Sequence, residues 1–278
     1  MSETEADALA DEQVDSPAAT LRLAAGIEYD GTAFNGWQVQ PHAPSIQEAL
    51  SKAISIVADE PVECVGAGRT DTGVHATGQV AHFDTRARRA EHSWLLGINS
   101  NLPTDINVNW VAKVPAEFHA RFSARSRSYR YLILNSPVRS ALYRQRAWWV
   151  LKPLDAELMQ TAADALLGEH DFSSFRAAAC QASSPVRTIT EIAVERQGEI
   201  IVITCSANAF LHHMVRNLAG SLMRIGRGDE PPEWLAEILA AKDRKRSGIT
   251  APAMGLTLTD VGYPDFPLPD APRRSLLC

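Results

Sequence analysis

The chain has 278 residues, 45% of them hydrophobic and 22% charged, which fits a globular protein and excludes a low-complexity or collagen-like one. No apolar run approaches a membrane span, the four cysteines form no C-x-x-C pair of the kind that builds zinc sites, and the acidic N-terminus lacks the apolar stretch of a signal peptide. The net charge of −6 comes from the first 20 residues, which hold six carboxylates and no lysine or arginine; the remainder balances at 27 basic and 27 acidic residues. That opening segment reads as a disordered, solvating tail, and the cysteine usage fits a reducing cytoplasm.

Residues 22–30 read as a strand ending at the Asp30-Gly31 turn. Ser45 and Glu48 form an S-x-x-E capping box for a helix in which Ile46, Ala49, Leu50, Ala53, Ile54 and Val57 recur at helical spacing. Short strands are expected at 61–66 and 79–84, on either side of a glycine-rich loop. A helix around 91–99 and a strand at 106–114 complete the first half. The second half opens near residue 117, with strands at 127–134 and 146–151. DAELMQTAADALL, at 155–167, is an amphipathic helix closed by Gly168 as its left-handed C′ residue. Strands at 187–196 and 199–206 form a hairpin across Gln197-Gly198. Residues 211–228 read as one helix, a further helix runs from Pro231-Pro232 to about 241, and a last strand covers 255–262. Strands and helices thus follow a ferredoxin-like order twice, without a sequence repeat. The expected fold is α+β: two ferredoxin-like halves with their sheets side by side and a central basic cleft. The expected segments are an acidic tail at 1–20, halves at 21–116 and 117–265, and a proline-rich tail at 266–278.

Charge is unevenly distributed within the balanced body. Residues 118–154 contain Arg121, Arg125, Arg127, Arg130, Arg139, Arg144, Arg146 and Lys152 and no carboxylate. Residues 200–228 again lack carboxylates and carry Arg216, Arg224 and Arg227. Two such windows, one of them laced with aromatics, point to a polyanion such as nucleic acid.

Three constellations carry possible chemistry. The first is GAGRTDTGVHATGQVAHF at 66–83, where glycines allow a tight backbone and Arg69 lies two residues from Asp71. A neighbouring cation favours the charged form of an aspartate, which suits a nucleophilic or basic carboxylate; the alternative is a structural turn with a surface ion pair. The second is the strand RSRSYRY at 125–131, where alternation puts Tyr129 and Tyr131 on one face and Ser128 and Arg130 on the other. A phenol beside guanidiniums stacks on a base or moves a proton, unless it is an ordinary sheet tyrosine. The third is LHHMVRN at 211–217. On a helix His212 and His213 point about 100° apart and make poor joint metal ligands, whereas Arg216 shares the face of His212 and is free to reach an anion. A metal-dependent hydrolase built on Asp71, His75 and His82 matches no recognised spacing, and an RNA-binding module without chemistry leaves the Asp71 loop unexplained.

Taken together, GRTDTGVHATGQVAHF at 68–83, FHARFSA at 118–124, RSYRYLILN at 127–135 and FLHHMVRNLAGSL at 210–222 resemble the tRNA pseudouridine synthase A family; EYDGTAFNGWQ at 28–38 and HDFSSFR at 170–176 fit it too. The resemblance spans roughly residues 22–264. Thr72 departs from it, since alanine commonly follows the aspartate, but Asp71, Gly73, Val74 and His75 are intact. The resemblance implies a cytoplasmic homodimer that isomerises uridine to pseudouridine in the anticodon arm of tRNA, at positions 38, 39 and 40, without cofactor or metal. By the same resemblance Asp71 is the essential aspartate, and Tyr129 contacts the target base and is a candidate acceptor for the C5 proton. Arg216 pairs with Asp71, Arg69 supports the RNA or helps flip the base, and Arg121, Arg125, Arg127, Arg130 and His212 are expected at the RNA. Whether Asp71 attacks C1′ or C6, or assists a glycal route, stays open at this level.

Overall fold

Alternation in the opening segment produces β1 (Leu21–Tyr29), whose Leu23, Ile27 and Tyr29 are buried on one face. The structure is a computed structural model that describes residues 19–270, so the expected acidic tail up to residue 18 and the end of the proline-rich segment lie outside the described residues. α1 (Ile46–Ala58) starts as the capping box requires, with Ser45 Oγ accepting from the Glu48 amide at 3.3 Å. Its Ile46, Leu50, Ala53 and Ile54 are fully buried. β2 (Cys64–Gly66), β3 (His75–Thr85), α2 (Glu91–Asn101) and β4 (Ile106–Lys113) follow. The second half supplies β5 (Ser126–Asn135), β6 (Trp148–Val150), α3 (Ala156–Ala163), β7 (Gly168–Asp171), β8 (Val186–Gln197), β9 (Ile200–Ala207), α4 (Met214–Gly226), α5 (Trp234–Ala241) and β10 (Leu256–Gly262).

Among the boundaries that differ from the sequence pattern, those of two helices have a local reason. Gly168 is not a helix cap. α3 ends at Ala163, a single 3-10 turn runs to Leu166, and Gly168 at φ 92° opens β7, which pairs with β8. The helix expected from residue 211 begins only at Met214, because His213 adopts φ 61° and breaks the helical path.

The α+β expectation holds, and the two sheets are one. Ten strands form a single sheet in the order β4-β1-β3-β10-β5-β9-β8-β7, with β2 added on β3 and β6 on β5. β10 makes the join: it pairs parallel with β3 through Thr257 and Leu258, and antiparallel with β5 along its length. Close approach at the join needs Gly78, where a Cβ would stand 2.2 Å from the Thr259 carbonyl oxygen. β3 is therefore longer than its hydrophobic run, starting inside the glycine motif at His75.

The core follows this division. One cluster gathers Leu50, Ile54, Phe83, Trp94 and Ile98 under α1 and α2. Another gathers Tyr131, Ile133, Ile201, Ile203, Leu218 and Leu222 under α3, α4 and α5. Leu256 and Leu258, two apart on β10, contribute to the second and first cluster respectively. Alternation on β5 sends Leu132 and Leu134 to the opposite face, into a small cluster with Ala147, Ile200 and Val202.

His82 is 4% exposed in this core, and its Nδ1 accepts from the Ala120 amide at 3.2 Å. The acceptor role requires a neutral ring. Burial, reinforced by His119 and Arg22, pushes its pKa down to about 4. The unfolded chain therefore binds this proton first, between its ordinary value near 6.5 and 4. The associated stability is fully present above pH ~6.5 and is lost as pH falls towards ~4, up to about 3 kcal/mol. Thermal unfolding across that window should show a progressive fall in Tm that His82→Asn, which keeps an acceptor but cannot titrate, flattens; parallel curves for the two proteins would refute it.

Candidate active site

Between β2 and β3 the loop 67–74 is tied down at Ala67, Gly68 and Thr70 and by a turn from Asp71 to Val74. Ala67 N donates to Val80 O at 2.8 Å, Gln79 Nε2 to Gly68 O at 2.9 Å, and Trp37 N to Thr70 O at 3.0 Å. The buried Tyr29 hydroxyl meets Thr70 Oγ1 at 2.8 Å, and Val74 N closes a turn on Asp71 O at 3.1 Å. The neighbouring Gly36, at φ 88°, has no room for a Cβ, which would lie 2.5 Å from Thr70 O. The backbone of Asp71 is thus fixed from below, and its side chain remains 26% exposed.

Three side chains from the start of α4 and the segment before it converge on that carboxylate. Arg216 Nη1 lies 3.2 Å from Oδ2, while its Nε donates to Ala251 O at 2.7 Å. His213 Nε2 lies 3.3 Å from Oδ2, and His212 Nε2 lies 3.2 Å from Oδ1. The helical-wheel expectation for the histidines does not hold: they precede α4, so the 100° separation does not apply, and their rings lie against each other with centroids 3.9 Å apart and planes tilted by 39°. Asp71, His212 and His213 offer donor atoms within 4.8 Å of one another, the one such trio among the described residues. The guanidinium already on Oδ2 opposes a further cation there. The alternative trio of Asp71, His75 and His82 does not assemble. His75 Nδ1 accepts from Gly31 N at 3.1 Å and its Nε2 donates to Gln145 O at 2.8 Å, so it serves as a buried tie; His82 is committed to Ala120.

The two tyrosines of the aromatic strand separate in role. Tyr131 is fully buried and donates to Pro252 O at 2.8 Å. Tyr129 is half-buried, stands edge-on to Phe210 at 5.0 Å, and faces the field of Asp71. Burial pushes its phenol up to about 12; Arg127 opposes this and Asp71 adds to it, so the resting side chain is a neutral donor. Phe210 is not distinguished by the hydrophobic pattern, and His213, singled out beside His212, is expected on a regular helix rather than against Asp71. The positive φ of His213 would have needed a turn signal that the sequence lacks.

The remaining arginines divide. Arg69, Arg121, Arg125 and Arg130 are exposed. Arg121 lies over the Phe122 ring at 5.6 Å, and Arg125 pairs with Asp265 at 3.2 Å. Arg130 projects to the face opposite Tyr129. Arg127 is held by the carbonyls of Ala67, Arg121, Ala124 and Asn208, which clamps the 121–124 segment against the start of the Asp71 loop. Burial lowers its pKa.

An arginine-held carboxylate beside a half-buried tyrosine, set where one α+β half meets another, is a centre for nucleophilic or acid–base chemistry. The sequence profile of the tRNA pseudouridine synthase family matches residues 25–123 and 162–264. Similar proteins include the tRNA pseudouridine synthase A of Hydrogenovibrio crunogenus, 54% identical over 92% of this chain and 98% of the relative. That of Aeromonas hydrophila is 55% identical over 92% of this chain and 96% of the relative. That of Escherichia fergusonii is 53% identical, covering 92% and 95%. This chain belongs to the tRNA pseudouridine synthase family. No helix among the described residues is long and apolar enough to cross a membrane.

Proposed function

We propose that this protein isomerises uridine to pseudouridine in the anticodon arm of tRNA, at positions 38, 39 and 40, acting as a cytoplasmic homodimer with neither cofactor nor metal. The observation that carries this reading is the Asp71 carboxylate held by Arg216 at 3.2 Å on a loop whose backbone is immobilised. The reaction breaks C1′–N1, turns the uracil and forms C1′–C5. One proton leaves C5 and one arrives at N1, so no oxidant or energy source is consumed. Asp71 is the nucleophile, Arg216 keeps it oriented, and Tyr129 with Phe210 forms an aromatic wall for the uracil. The target base must leave its stack at a cost of a few kcal/mol. Arg69, Arg121, Arg125, Arg130 and His212 meet the RNA, making binding salt-dependent, and Arg127 ties the segment that carries Arg121 to the start of the loop that carries Arg69. Residues 21–116 and 117–265 are the two halves that close around the substrate.

The test is an unmodified tRNA transcript incubated with protein alone, with pseudouridine mapped by carbodiimide labelling and primer extension. Stops at 38–40 are expected; tRNA bound without stops would turn the reading to a binding module. Tyr129→Phe should lower kcat about 10²-fold or more with KM within twofold, the loss typical of a removed proton-transfer group. An unchanged kcat would limit Tyr129 to stacking.

A further inference from the structure

Asp71 meets its three partners unevenly. Oδ2 accepts a hydrogen bond from Arg216 and has His213 Nε2 at 3.3 Å, their side chains being 15% and 27% exposed. Among the described residues, Oδ1 meets only His212, the most exposed of the three at 37%. The inner oxygen therefore faces two side chains, one of them hydrogen-bonded to it, and the outer one faces a single side chain at the solvent edge.

His213 reaches its position at a cost. It precedes the 13-residue α4 as N-cap with φ 61° and ψ 7° and makes no side-chain cap bond. A usual N-cap is extended and carries Ser, Thr, Asp or Asn to accept from the first turn. A left-handed non-glycine residue is a strained one, and such strain persists where its surroundings impose it. Here the kink turns two adjacent imidazoles onto one carboxylate, an aim that a regular helix through residues 211–214 denies them.

We propose that His213 is a positioning residue that, with Arg216, pins Asp71 Oδ2 so that Oδ1 is the oxygen presented to the uridine, with His212 the partner that yields to substrate. This rests on the function proposed above. The groups facing His213 are Asp71, His212, Arg216 and Arg244. Burial lowers its pKa, His212, Arg216 and Arg244 act in the same direction, and Asp71 opposes them. His213 Nε2 lies 3.3 Å from Oδ2, so the Nε2–H tautomer places the ring proton on the side of that oxygen and leaves Nδ1 free of that role.

The experiment compares wild type, His213→Gly and His213→Gln on unmodified tRNA, with Tm for each. Glycine relieves the left-handed backbone and removes the donor; kcat should fall about 100-fold, the loss expected from a displaced reacting group, with KM within twofold and Tm not lowered. Glutamine returns an N–H at similar reach and should restore at least tenfold of that loss. Wild-type kcat in the glycine variant, or equal loss in both variants accompanied by a fall in Tm, overturns the proposal. A second readout needs no turnover: long-range 1H–15N NMR of the imidazoles should show the Nε2–H tautomer at His213 and a lower titration midpoint in Asp71→Asn, since the carboxylate charge holds the ring proton. An unmoved midpoint overturns the contact whatever the protein's activity proves to be.

Discussion

Asp71→Ala is expected to reduce pseudouridine formation at least about 10⁴-fold, on the scale seen when a nucleophile is deleted from an otherwise intact site, while tRNA binding stays at or slightly above wild-type strength. The two halves of that expectation have separate causes. Turnover falls because, among the described residues, no other carboxylate joins Arg216, His212 and His213 in the converging cluster. Binding persists because affinity for nucleic acid is dominated by phosphate contacts from arginines and lysines, and deleting an anion leaves Arg216 without its opposite charge. Asp71→Asn is the better control for folding, since it keeps two polar atoms opposite the guanidinium and imidazoles. The loop itself does not depend on the side chain: Thr70, Gly68 and Ala67 are held through Tyr29, Trp37, Gln79 and Val80. Both variants should therefore bind tRNA with unchanged salt slope in a filter-binding titration. Loss of binding in step with activity would recast Asp71 as a structural residue of the loop, and full activity in Asp71→Asn would move the nucleophile elsewhere.

The parts of this centre that were legible from sequence are those encoded by local chemistry. The glycine loop announced a constrained backbone around Asp71, and alternation put Tyr129 and Tyr131 on one face. Alternation alone did not separate the two tyrosines, and only the resemblance named Tyr129, because the difference depends on Pro252 arriving from far along the chain to accept from Tyr131. The pairing of Arg216 with Asp71 was an implication of the family resemblance, and the helical spacing that set Arg216 on the face of His212 assumed a helix beginning three residues too early. Its actual aim is set by Ala251, which accepts from its Nε and donates to its carbonyl. The convergence of His212 and His213 was invisible because a positive φ at a histidine carries no compositional signal. At the level of fold, capping and periodicity located α1 well, whereas the single sheet was not legible. β10 joins the halves through pairings with β3 and β5 that lie far away in sequence, and the strand itself looks like any other terminal strand. Arg127 shows the same limit on charge patterns: it sits in the basic window, yet its guanidinium is spent on four backbone carbonyls.

Arg216→Lys should lose about 10²–10³-fold in kcat with KM within twofold, although the charge is conserved. The guanidinium does two things at once: Nη1 faces Asp71 Oδ2 at 3.2 Å while Nε donates to Ala251 O at 2.7 Å. The planar fork makes these bonds mutually orienting, so the carbonyl fixes the plane and the plane fixes the carboxylate. An ammonium is a point charge on a flexible stem. It satisfies the buried carbonyl or follows the carboxylate, and in either case Asp71 is free to rotate away from the geometry that attack requires. The double variant with Asp71→Ala gives the sharper comparison. If Arg216 acts through Asp71, adding Arg216→Lys to Asp71→Ala should cost almost nothing further, a coupling nearly as large as the single loss. Additive losses would instead mean that the arginine meets the substrate directly, on a phosphate or a uracil carbonyl. The partition between kcat and KM in Arg216→Lys alone points the same way, because a residue that only orients the nucleophile contributes to the transition state and not to the bound ground state.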